Sequence, residues 1–148
     1  MPASAGPGGV VGSGFDATSG SEVNISGGEV FGQFFAFNSV VNISGGTVGD
    51  DFQAAADSQI NITGGTVGDG LGVFGGEINL SGGTVGNDFD VNFGSVVNIS
   101  GSEFFIDGVE LDTLLPGEAF TITGRDMTLS GLLADVNRSA LNLTQLIR

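Results

Sequence analysis

An Asn-centred segment returns along this chain at a nearly fixed interval. Asn24, Asn42, Asn61, Asn79 and Asn98 are separated by 18, 19, 18 and 19 residues. The segments around them read SEVNISGG, SVVNISGG, SQINITGG, GEINLSGG and SVVNISGS. The first four are followed by an apolar residue and a Gly-rich step: EVFGQF, TVGDDF, TVGDGL and TVGNDF. A partial earlier copy, GGVVGSGF, begins at Gly8. Such a period marks an architecture in which each unit buries its apolar face against the next.

A helical unit does not fit. Each Gly of the recurring Gly-Gly pair costs about 1 kcal/mol inside a helix, and the β-branched residues favour strands. Val23-Asn24-Ile25-Ser26 alternates apolar and polar, which is the strand period. A period of 18–19 residues suits one turn of a β-solenoid, with about three short strands and tight corners, each coil pairing with the next at roughly 4.8 Å. Gly27-Gly28 and its equivalents supply corners of positive φ. We expect an all-β, parallel β-solenoid (β-helix) of about five coils, right-handed by preference, because apolar positions do not recur every six residues as in left-handed hexapeptide coils.

The repeat then sorts residues into columns. Val23, Val41, Ile60, Ile78 and Val97 stack inward, as do Ile25, Ile43, Ile62, Leu80 and Ile99. Val30, Val48, Val67 and Val85 form a second face, and Phe15, Phe34, Phe52, Leu71 and Phe89 a third. The chain has 12 Phe but no Tyr or Trp, as suits a dry stack without partners for a phenol or indole. Asn and Ser/Thr face outward in this reading. An inward amide ladder at a corner is the competing arrangement.

The expected organisation is residues 1–7 as a disordered or extraneous leader, 8–102 as the array, 103–135 as a β-rich cap, and 136–148 as a tail that fits a short helix or a strand. EFFIDGVEL carries a hairpin turn signal at Asp-Gly, and 120–129 resembles a second hairpin. MPASAGPGG has neither a charged n-region nor an apolar h-region, so it does not read as a signal peptide. An array that starts mid-repeat suggests either a piece of a longer chain or an edge covered by self-association.

Composition narrows the chemistry. With no His and no Cys, the chain offers no Ser-His-Asp triad, Cys-His dyad, or His- or Cys-ligated metal site. With only three Arg and no Lys against 17 acidic residues, the net charge is −14. That charge repels a phosphate backbone, so nucleic acid is not an expected partner, and no stretch suits membrane insertion.

The run SGSEVNISGGEVFG…SVVNISGGTVGDDF, followed by EFFIDGVELDTLLPGEAFTITGRDMTLSGLLAD, resembles repeat regions of large exported proteins from planctomycete-type marine bacteria, which are similar to autotransporter-like β-helix adhesins. The resemblance covers about residues 8–135. It implies a β-solenoid in a secreted or cell-surface setting, and no particular activity. The chain departs from the pattern after SGLLAD, where it reads VNRSALNLTQLIR.

Four groups of residues are candidates for function. Asp50, Asp51, Asp69 and Asp88 follow the Thr-Val-Gly step, and hard oxygen ligands in a row suit Ca²⁺. As ordinary corner residues they are also expected in a solvated turn, which is the favoured reading. The columns Asn24, Asn42, Asn61, Asn79, Asn98 and Ser26, Ser44, Thr63, Ser81, Ser100 form a regular face able to meet a glycan or ice. The favoured reading is that they bond to their own copies in adjacent coils. The same carboxylates are the only clustered candidates for an inverting hydrolase, acting on polysaccharides or esters with carboxylate or Ser chemistry. The balance is against an enzyme. Finally, Phe31, Phe34, Phe35 and Phe37 exceed what one coil interior holds, so one or two are expected to face a neighbouring copy in a dimer or trimer. The sequence reading as a whole is a self-associating structural or adhesive module, with cation or glycan binding through the Asp, Asn and Ser ladders attached to it.

Overall fold

The alternation in each Asn-centred segment is realised as a long strand whose apolar residues point one way. In a computed structural model, which describes residues 3–92, 94–110, 128–134 and 140–143, the chain winds through about five turns of a parallel β-solenoid. The first turn contains β1 (Ala3–Ala5), β2 (Val10–Val11) and β3 (Asp16–Thr18). Each of the next four pairs a long strand with a short one: β4 (Glu22–Val30) with β5 (Phe35–Phe37), β6 (Val40–Val48) with β7 (Gln53–Ala55), β8 (Gln59–Val67) with β9 (Gly72–Phe74), and β10 (Glu77–Val85) with β11 (Asp90–Val91). β12 (Val96–Ile99) opens a last turn. The long strands stack in the order β1-β4-β6-β8-β10-β12, with β2 also on β4, and the short ones in the order β3-β5-β7-β9-β11.

Register follows the repeat. Val23, Val41, Ile60, Ile78 and Val97 are successive partners, as are Ile25, Ile43, Ile62, Leu80 and Ile99. The first four members of each column are buried. Phe34 and Phe52 stack with centroids 4.6 Å apart and planes 4° from parallel, and Phe15 tilts onto Phe34 at 5.2 Å. Leu71 and Phe89 continue that column in the core. One inward column lay outside the sequence reading: Ala17, Ala36, Ala54 and Val73 are register partners in the short strands and all are buried.

The Gly-Gly corner answers two demands at once. Gly28, Gly46, Gly65 and Gly83 have φ of 74°, 79°, 81° and 84°. A Cβ at Gly46 would also stand 2.7 Å from the Gly27 carbonyl carbon in the coil below. Only Gly suits both the dihedral and the approach.

Residues 3–5 do not form a leader separate from the array. Ala3, Ser4 and Ala5 pair in parallel with Val23, Asn24 and Ile25, so pairing begins before Gly8. Ala in the two apolar register positions and Ser in place of Asn disguise this copy of the repeat.

At the other end, β13 (Gly101–Ile106) and β14 (Val109–Glu110) form the hairpin expected at Asp107-Gly108. β15 (Leu129–Leu133) pairs antiparallel with β13 and with β16 (Ala140–Leu143). The resulting four-stranded antiparallel sheet places Leu129 and Leu133 in the same apolar cluster as the coils. Residues 140–143 of the tail are therefore strand rather than helix and belong to this cap, which extends past residue 135. The expected hairpin at 120–129 falls almost wholly outside the described residues.

Candidate functional site

The Asn column faces outward along the long-strand sheet and is bonded to itself. Asn42 donates from Nδ2 to Asn24 Oδ1 at 2.8 Å, Asn61 to Asn42 at 2.8 Å, Asn79 to Asn61 at 3.0 Å, and Asn98 to Asn79 at 2.9 Å. Glu22 Oε1 accepts from Asn24 at 3.1 Å, and Glu77 Oε1 accepts from Asn98 at 3.2 Å. Parallel in-register pairing puts each amide directly over its copy, so the donor of one coil meets the acceptor of the coil below. The inward arrangement of Asn is not adopted. In the neighbouring column Ser26, Ser44, Thr63 and Ser100 are exposed and Ser81 is half-buried, and Thr63 donates from Oγ1 to the Ile43 carbonyl at 3.4 Å.

The acidic corner also serves the stack. Asp50 Oδ1 accepts the backbone N–H of Asp69 at 2.9 Å, and Asp69 Oδ1 accepts that of Asn87 at 2.7 Å. The preceding Gly makes room for this: a Cβ at Gly68 would stand 2.2 Å from Asp50 Oδ1, and one at Gly86 2.3 Å from Asp69 Oδ1. Asp51 and Asp88 occupy the next position, with φ of 60° and 58°, in a column shared with Gly14, Gln33 and Gly70 at 75°, 62° and 77°. Asp tolerates this left-handed conformation better than most residues. All four carboxylates are exposed along the corner. Among the described residues no group of three or more acidic side chains converges in a way that could hold a metal ion.

A further polar column was missed by the sequence reading. Ser39 and Ser58 are buried; Ser39 donates from Oγ to the Ala17 carbonyl at 3.3 Å, and Ser58 to the Ala36 carbonyl at 3.0 Å. Ser95 donates to the Val73 carbonyl at 3.0 Å and accepts the Gly75 N–H at 2.9 Å. The signal was the Ser that opens SVVNISGG, SQINITGG and the last SVVNISGS.

The four clustered Phe separate by role. Phe34 is 1 % exposed and lies in the core, so it cannot meet a neighbouring copy, which corrects its assignment as an oligomer contact. Phe31 and Phe37 are 45 % and 44 % exposed. Phe35 is half-buried, and its ring lies 6.3 Å from that of Phe37, with planes 22° apart. Crowding decides this: the inward position of β5 belongs to Ala36, so Phe35 and Phe37 must point out.

A shallow groove of about 410 Å³ follows from that arrangement, lined by Gly14, Asp16, Gln33, Phe34, Phe35, Asp51 and Gln53. Asp16, Phe35 and Gln53 are register partners on successive short strands. Gln33 and Asp51 rise from the adjoining corner, so the groove runs across coils.

No protein-family model, curated protein or solved structure matches this chain. Function is therefore read from the geometry of the coils. Most of the candidate polar residues take part in coil-to-coil bonds, while the groove and the exposed Phe lie outside that network.

Proposed function

We propose that the chain is a structural module: a stiff, self-associating β-solenoid segment of a secreted or cell-surface adhesive protein. The observation that carries this reading is the unbroken Asn ladder, which directs the most regular polar column of the surface into holding coils together. The corner carboxylates support it in the same way. Asp50 and Asp69 each accept a backbone N–H of the next coil. The exported setting rests on the likeness to bacterial repeat regions.

Self-association is assigned to the outward Phe31 and Phe37, whose contact with a second copy would remove apolar surface from water. Light scattering over a range of concentrations tests it. The parent protein is expected to form a dimer or trimer, and the double variant Phe31→Ser/Phe37→Ser to be monomeric with an unchanged circular dichroism spectrum. A parent that stays monomeric at every concentration removes this part of the proposal. Polysaccharide or ester hydrolysis by the parent that is lost in Asp51→Asn would replace the structural reading with the enzymatic one.

A further inference from the structure

We infer that the groove beside Phe35 is a subsite for a neutral glycan. This goes beyond the structural reading and does not depend on it. Three features of the groove select the ligand class.

The first is its mixture of surfaces. The Phe35 ring is half-buried, lies beside that of Phe37, and gives the groove an apolar wall. Gln33 and Gln53 add amides that both donate and accept, and Asp16 and Asp51 add acceptors. A sugar ring matches this set: it has an apolar C–H face for the aromatic wall and hydroxyl groups that need donors and acceptors together.

The second is charge. Asp16 and Asp51 flank the groove. Uronates, sulfated sugars and phosphates are therefore disfavoured at this wall. A bound metal ion would need converging carboxylates, which the described residues do not supply.

The third is where the repeat breaks. In the coil after Asp51 and Gln53 the equivalent positions are Gly70 and Gly72. Both columns lose their side chains there, and Gly72 is buried. A Cβ at Gly72 would stand 2.6 Å from Cε2 of Phe74, so the Phe74 ring lies over that strand. Phe74 remains 40 % exposed. Phe35 and Phe74 thus offer two aromatic surfaces two coils apart, about 9.6 Å at the spacing of paired strands.

The test is an amide NMR titration of the full chain with four probes: cellotetraose, chitotetraose, tetragalacturonate and tetralysine. The expected result is that at least one of the two neutral tetrasaccharides shifts the amides of Gln33, Phe35, Asp51 and Gln53, and that tetragalacturonate does not. Gln53→Ala, an exposed substitution, is expected to weaken that binding at least tenfold with an unchanged melting temperature. Phe35→Ala is expected to do the same, and Gln53→Ala carries the test if Phe35→Ala does not fold. No shift with either neutral probe at millimolar concentration overturns the inference. So do shifts outside the groove, shifts insensitive to Gln53→Ala, or a response to tetralysine alone, which would mark a cationic partner. The double variant at Phe31 and Phe37 decides self-association separately, so failure of one reading leaves the other intact.

Discussion

Asp50 shows how one side chain can look like a ligand and act as a brace. Its Oδ1 accepts the backbone N–H of Asp69, a bond that needs an acceptor but not a charge. Asp50→Asn keeps an acceptor and relieves like-charge repulsion along the corner, so its thermal midpoint is expected to match or exceed that of the parent. Asp50→Ala removes the acceptor and is expected to cost about 1 kcal/mol. Equal loss in both variants would show that the charge, and with it a cation, matters at this corner. The sequence made the recurrence of Asp and Asn after Thr-Val-Gly plain. It did not show what the carboxylate bonds to, because that partner lies a whole coil away and depends on the register. The serines at 39 and 58 were hidden for the same reason, since their acceptors belong to earlier coils.

At the scale of elements, strands and corners were largely legible because they rest on local rules. Alternation assigned Val23 and Ile25 inward, and the Gly-Gly pair marked the corner. The first copy of the repeat was harder to see, because Ala3-Ser4-Ala5 keeps only the pattern and none of the residues of VNI. The Ala column of the short strands was also obscured, since Ala36 takes the inward place between two larger apolar residues, Phe35 and Phe37. The cap offers a test at this scale. Leu133 is 2 % exposed and joins the apolar cluster of the coils, and large-to-small substitution at such a site costs about 2–5 kcal/mol. In a stacked array this loss should be felt first by the adjacent coil. Leu133→Ala is therefore expected to speed hydrogen exchange of the β12 amides while β6 and β8 keep their protection. Uniform acceleration along the array would mean that the coils open as one unit.

For the whole molecule, charge and stacking oppose each other. Residues 1–103 carry eleven acidic side chains and no basic one. Stacking brings these charges close together, and salt screens their repulsion, with a Debye length falling from about 30 Å at 0.01 M to about 3 Å at 1 M. The melting temperature is expected to rise with NaCl over that range; a flat or falling trend would show that repulsion is not a significant cost of the fold. Against this repulsion stand burial of the apolar columns and the outward amide ladder. We hold that this ladder is part of what keeps the coils together and is not a display surface. Asn61 sits mid-array and bonds both ways, to Asn42 and from Asn79. Thermal unfolding of Asn61→Ala is the most direct test. Loss of two such bonds is expected to cost about 1–3 kcal/mol, a fall of roughly 2–4 °C in melting temperature per kcal/mol for a chain of this size. A variant that melts with the parent would contradict the claim and return the Asn column to the role of an outward binding face.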